Sequence, residues 1–317
     1  ARLADAFNNL APDGTAVNFT TEGGSIEPSC VTVNGVCTVK WFSQQPRPEG
    51  NVLGDINNLT HLPEINNTMG QKFGGRATIT ATAIGEESFP DLNGNARFDA
   101  NEMTAFLGKD ISGNDYDLKE AFVDHNEDGL YNPTEEGDVN SSGALEEFVD
   151  FDNSGTFDQK DDKYNGVLCS IPVHEGCSTQ KSLNVRGTLV LVMSGSSANF
   201  AIASTIDAVA DIDAGLRDET DETVNIAGEN VGSATVIIAD LHNQPMPAGT
   251  TVTFTATVGS IVGPSSYVWP NDNHNGGLAW GVSIKGEKEP KAGSLLVEVE
   301  TPSGLSTLYS DISIVIK

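Results

Sequence analysis

Three stretches of the sequence place oxygen-bearing side chains at a spacing that suits a metal cation. SFPDLNGNARFDANE (88–102), AFVDHNEDGLYNPTE (121–135) and EFVDFDNSGTFDQKD (147–161) align residue for residue. With the shared aspartate counted as position 1, oxygen side chains fall at positions 1, 3, 5, 9 and 12. They are Asp91, Asn93, Asn95, Asp99 and Glu102, then Asp124, Asn126, Asp128, Asn132 and Glu135, then Asp150, Asp152, Ser154, Asp158 and Asp161. A hard cation takes six to eight oxygens at about 2.3–2.6 Å, and a loop wrapped around it offers every second side chain. Position 7 contributes a backbone carbonyl, here from Arg97, Leu130 and Thr156. Gly129 and Gly155 at position 6 permit the closing turn, whereas Ala96 in the first loop predicts a strained closure or a lower affinity. Asp161 is shorter than a glutamate, so two-oxygen coordination is less expected at the end of the third. Position 8 is aromatic throughout (Phe98, Tyr131, Phe157) and is free to pack away from the ion. A weaker candidate, Asp138, Asn140, Ser142 and Glu146, has Val149 where its twelfth residue should be an acid.

This pattern resembles the calcium loop of EF-hand proteins and of dockerin-like and thrombospondin-type repeats. The flanking sequence offers at best a short helix such as 117–122, so the resemblance covers the loop rather than the full helix–loop–helix. Charge points the same way. Residues 86–162 hold 22 of the 45 acids against four bases, Arg97, Lys109, Lys119 and Lys160, a local charge of 4 − 22 = −18. Such a block is either solvated and disordered or neutralised by cations, and about three calcium ions are expected. Catalysis is not expected. The acids are used up by ligand spacing, the five histidines are scattered, and no G-x-S-x-G, HExxH or phosphate-binding loop occurs.

The elements that must carry these loops are short strands. LADAFNNLAPDGTAVNFTTEGGSI (3–26) aligns without gaps to IADLHNQPMPAGTTVTFTATVGSI (238–261), with 12 of 24 positions identical. Each copy reads as strand, Asn/Pro/Gly turn, strand, and Val17, Phe19 and Thr21 alternate with polar neighbours as a half-buried strand does. Further runs of this kind at 36–43, 76–84, 182–194, 233–240, 278–284 and 294–300 predict an all-β protein. DGTAVNFTTEGGSI, VNGVCTVKW and GRATITATAIG together resemble the bacterial immunoglobulin-like domains of intimin- and invasin-type surface proteins, over most of the chain outside 86–180. The resemblance implies two tandem immunoglobulin-like β-sandwiches that serve as non-catalytic stalk or adhesion modules. The first is expected over 1–207, with the calcium-binding insertion at about 86–165, and the second over 208–317.

Copy one has only Ala1 and Arg2 ahead of its repeat, so its first strand is expected to be missing, either through a cut from a longer protein or because another chain donates it. A smaller insertion at about 50–72 reads as a surface loop. Cys30/Cys37 and Cys169/Cys177 form two close pairs without C-x-x-C spacing, which predicts two local disulfides and an oxidising compartment. A net charge of −28 argues against nucleic acid or anionic membrane as partner, and no apolar run has the length of a membrane span. Expected partners are neighbouring domains or subunits of one extracellular, bacterial cell-surface assembly, with a host or environmental glycan or protein as a further ligand. Two alternatives stand beside the stalk reading: a filament subunit joined by a donated strand, and a glycan-binding module using exposed Trp269 or Trp280.

Overall fold

The computed structural model describes residues 1–48, 74–125, 127–131, 146–206 (backbone alone for 202–206) and 222–317. The smaller insertion at 50–72, together with Asn126, Asn132, Glu135, Asp138, Asn140 and Ser142, lies outside the described residues. The protein is all-β, and among the described residues helix is confined to two short consecutive segments at 100–106. Two compact units divide the chain: residues 1–47 with 77–191, and residues 48–76 with 192–317.

In the first unit run β1 (Ala16–Thr21), β2 (Ser25–Ile26), β3 (Ser29–Val31), β4 (Trp41–Phe42), β5 (Arg76–Gly85), β6 (Ala121–Phe122), β7 (Phe148–Val149) and β8 (Leu183–Val192). The main sheet has the order β3-β1-β5-β8, with β2-β4 and β6-β7 as separate pairs. A small core of Val17, Cys37 and Ala83 lies against Phe19, Ala81 and Val185. The Cys30–Cys37 disulfide fastens the 29–37 segment, and Cys169–Cys177 fastens the far end of the insertion. Both expected bridges are therefore formed, which fits a compartment other than the reducing cytoplasm.

The second unit contains β9 (Ala198–Ile206), β10 (Thr223–Ile226), β11 (Val231–Asp240), β12 (Thr251–Ala256), β13 (Ser260–Val262), β14 (Ser266–Val268), β15 (Leu278–Lys285), β16 (Lys291–Glu300) and β17 (Ser306–Ile316). Its two sheets have the orders β10-β17-β16-β12-β14 and β13-β15-β11-β9. Alternate residues of both feed one core, with Val236, Ile238 and Ile284 from one sheet and Val252, Phe254, Val297 and Ile314 from the other. β9 pairs with β11 from Asp240↔Ala198 to Ser233↔Ile206, which fits its place in the second unit.

The sequence repeat is matched by a repeated local geometry. Asn8 and Asn243 both adopt left-handed backbone, with φ 63° and 61°, and so do Gly14 and Gly249 at 87° and 84°. Asp5 accepts the backbone N–H of Asn9, and Asp240 that of Gln244, at the same offset. Ala16 pairs with Val31 as Thr251 pairs with Val268, and Ile26 with Trp41 as Ile261 with Ile284. These Asx-type turns explain why Asp, Asn, Pro and Gly recur there: the side chain caps a turn that the left-handed residue closes.

Candidate metal centre

Each acidic loop is wound the same way around its first aspartate. The Asp91 carboxylate accepts the backbone N–H groups of Gly94 (2.7 Å), Asn95 (3.1 Å) and Ala96 (2.8 Å). Asp124 accepts those of Asp128 (3.1 Å) and Gly129 (2.8 Å), and Asp150 those of Ser154 (3.0 Å) and Gly155 (2.9 Å). At position 5 the side chain accepts the N–H of position 7: Asn95 from Arg97, Asp128 from Leu130, Ser154 from Thr156. Position 6 is left-handed in all three, with φ 58° at Ala96, 78° at Gly129 and 77° at Gly155. Ala96 thus holds the strained conformation its sequence position implied.

In each loop a glutamate accepts the position-2 N–H. In the first loop Glu102, fully buried, accepts the N–H of position 2 (Leu92, 2.7 Å) and of position 9 (Asp99, 2.9 Å). Asp99 caps the short helix Ala100–Glu102, α1 follows over Met103–Phe106, and Glu102 completes a capping box. In the third loop those two bonds, from Phe151 (2.7 Å) and Asp158 (3.0 Å), go to Glu120 instead of Asp161. Asp161 accepts only the nearby Lys163 N–H among the bonds of this loop. Carboxylate oxygens of Glu120, Asp152 and Asp158 lie within 4.8 Å of one another, and all three line a cavity of about 260 Å³. In the second loop, buried Glu146 accepts the position-2 N–H of His125 (3.1 Å). Neither Glu120 nor Glu146 was assigned to these roles from sequence. Their signal is a glutamate four residues ahead of position 1: Glu120 before Asp124, and Glu146 before Asp150. Each closes the other's loop.

Packing explains the exchange. β6 and β7, just ahead of the second and third loops, pair antiparallel through Ala121↔Val149 and Phe122↔Phe148. The position-8 rings Tyr131 and Phe157 stack at 4.1 Å, flanked by Phe122 and Phe148. Arg186 on β8 ties this pair to the sheet by donating to the carbonyls of Lys119 (2.8 Å) and Glu120 (3.2 Å). In the first loop Phe98 packs into a separate core with Phe89, Phe106 and Tyr164.

Chemically, the loops are donor sets of carboxylate, amide and hydroxyl oxygens, the hard ligands of calcium-type ions. Hydrogen bonds from the Asn93 and Asn95 side-chain amides hold the Asp99 carboxyl below its usual range and keep it charged. Burial pushes that of Asp124 up, the cost that a bound cation would relieve. Cys169, His174 and Cys177 also lie close together, but both sulfurs are committed to a disulfide and offer no thiolate. Trp269, considered as a sugar platform, is 2% exposed in the core of the second unit, with half-buried Trp280 packed on it at 5.5 Å. No protein-family model and no curated protein matches the chain.

Proposed function

We propose that the protein is a non-catalytic, extracellular module of a bacterial surface assembly whose acidic insertion is folded around about three calcium ions. The single observation that carries this reading is the shared winding of the three loops, each around a first-position aspartate and each closed by a glutamate on the position-2 N–H. Calcium here is structural: it offsets the mutual repulsion of the acids, and whatever binds the folded chain alone stabilises it. The immunoglobulin-like resemblance and the two-sheet core of the second unit support a stalk or spacer role, in which neighbouring domains or subunits are the partners. Limited proteolysis in calcium and in excess chelator tests the reading, because cleavage tracks the open population. Cuts between residues 86 and 165 should accelerate on chelation while the second unit resists; an insertion cleaved at the same rate in both conditions counts against it.

A further inference from the structure

The core that receives Phe98 contains a second aromatic presented in the same way. Phe98 forms a parallel bridge with Cys169, and Tyr164 one with Cys177. The two rings pack together, tilted with centroids 5.1 Å apart, where Tyr131 and Phe157 of the other pair stack at 4.1 Å. Numbering Tyr164 as position 8 makes Asp162 position 6, and Asp162 is left-handed with φ 57°. Asp161 becomes position 5 and accepts the N–H of Lys163, position 7, at 2.9 Å. The residue whose carboxylate accepts the position-6 N–H is then Asp117, at 3.1 Å, from a different stretch of chain. The residue after it, Leu118, donates its N–H to Glu87 at 2.6 Å, and Asn165, position 9, donates to the same carboxylate at 2.7 Å. Those are the two bonds that Glu102 receives in the first loop and Glu120 in the third. Glu87 also stands four residues ahead of Asp91, the spacing by which Glu120 and Glu146 close their partner loops.

We propose that Asp117, Asp161, Asn165 and Glu87, with the Lys163 carbonyl, form a fourth calcium site in a loop split between two chain segments and paired with the 91–102 loop. The independent observation is a pair of unanswered oxygens. Asp117 is 1% exposed and Asn165 6%, and the Oδ1 of each is buried without a hydrogen-bond donor among the described residues. They sit at positions 1 and 9, where a loop of this type presents oxygens to its ion. A buried acceptor left unmet costs free energy, and Lys160, whose charge favours ionised Asp117, is paired with Asp115 at 2.8 Å. An oxygen-seeking divalent ion answers both atoms at once.

Native mass spectrometry in calcium counts the ions on the full chain. Asp117→Asn and Asn165→Leu should each carry one calcium fewer than the wild type, and so should Asp91→Asn in the first loop; combining Asp91→Asn with Asp117→Asn should remove two. If Asp91→Asn loses an ion while Asp117→Asn and Asn165→Leu keep the wild-type count, the split site is wrong and the contiguous loops stand. If the Asp117 and Asn165 variants alone lose an ion, the split site stands and the reading of the contiguous loops falls. Should these variants fail to fold, anomalous scattering from terbium-soaked wild-type crystals decides. A peak between Asp117 and Asn165 supports the site, and peaks confined to the contiguous loops overturn it.

Discussion

Exchange of the closing glutamates makes a prediction that separates it from a simple reading of loop positions. Glu120 accepts two backbone N–H groups of the third loop, at 2.7 and 3.0 Å, and hydrogen bonds to a charged group contribute about 1.5–3 kcal/mol each. Glu120→Gln keeps the shape, but its single acceptor oxygen can serve one N–H while the amide faces the other. Closure should lose about 1.5–3 kcal/mol, a roughly 10- to 100-fold weaker calcium site. The Gly155 amide, which donates to Asp150 at 2.9 Å, reports on this loop in an NMR calcium titration. Its midpoint should move to higher calcium in Glu120→Gln and stay at the wild-type value in Asp161→Asn. The reverse pattern, with Asp161→Asn shifting Gly155 and Glu120→Gln leaving it in place, would refute the exchange.

Two further outcomes follow from the same geometry. In chelator, burial pushes the Glu87 carboxyl up to about 8 and that of Asp117 up to about 6. The unfolded chain then binds fewer protons than the folded one between their ordinary values and those figures, so stability falls as pH rises from about 5 to 8; urea midpoints measured at both ends should show that slope, and a flat or rising profile would contradict it. Ala96→Gly removes a left-handed alanine at φ 58°; after the entropic cost of glycine, the first loop should gain about 0.5–1 kcal/mol, a roughly two- to fivefold tighter site by calcium titration.

Legibility in the sequence followed the range of the interactions. β1 and β12 were readable because a half-buried strand alternates, and Val17 and Val252 do face cores. Their shared turns were readable because Asp5 and Asp240 cap backbone a few residues away. Both disulfides span short separations and were equally plain. The loops' inner bonds, from positions 1 and 5 to the turn that follows, are local and announced themselves in the spacing. Closure is not local. Glu120 reaches a loop 31 residues on, and Glu146 reaches 21 residues back to His125. A contiguous count reaches Asp161 and does not reach Glu120, which accepts the Phe151 and Asp158 N–H groups. Strand partners are not local either: β9 pairs with β11, and pairing rather than periodicity assigns a strand to its sheet.

Calorimetric unfolding in about 2 mM calcium and in excess chelator shows whether calcium holds the insertion folded. With site affinities on the order of 0.1–1 mM, mass action at three sites adds roughly 2–5 kcal/mol. For a unit of this size that moves Tm by roughly 4–20 °C. Chelation should lower the transition of the unit carrying the insertion by that amount and leave the transition of the second unit in place. Superimposable traces in the two conditions would mean that the acidic loops hold no ion that matters to the fold, contrary to the proposed role of calcium.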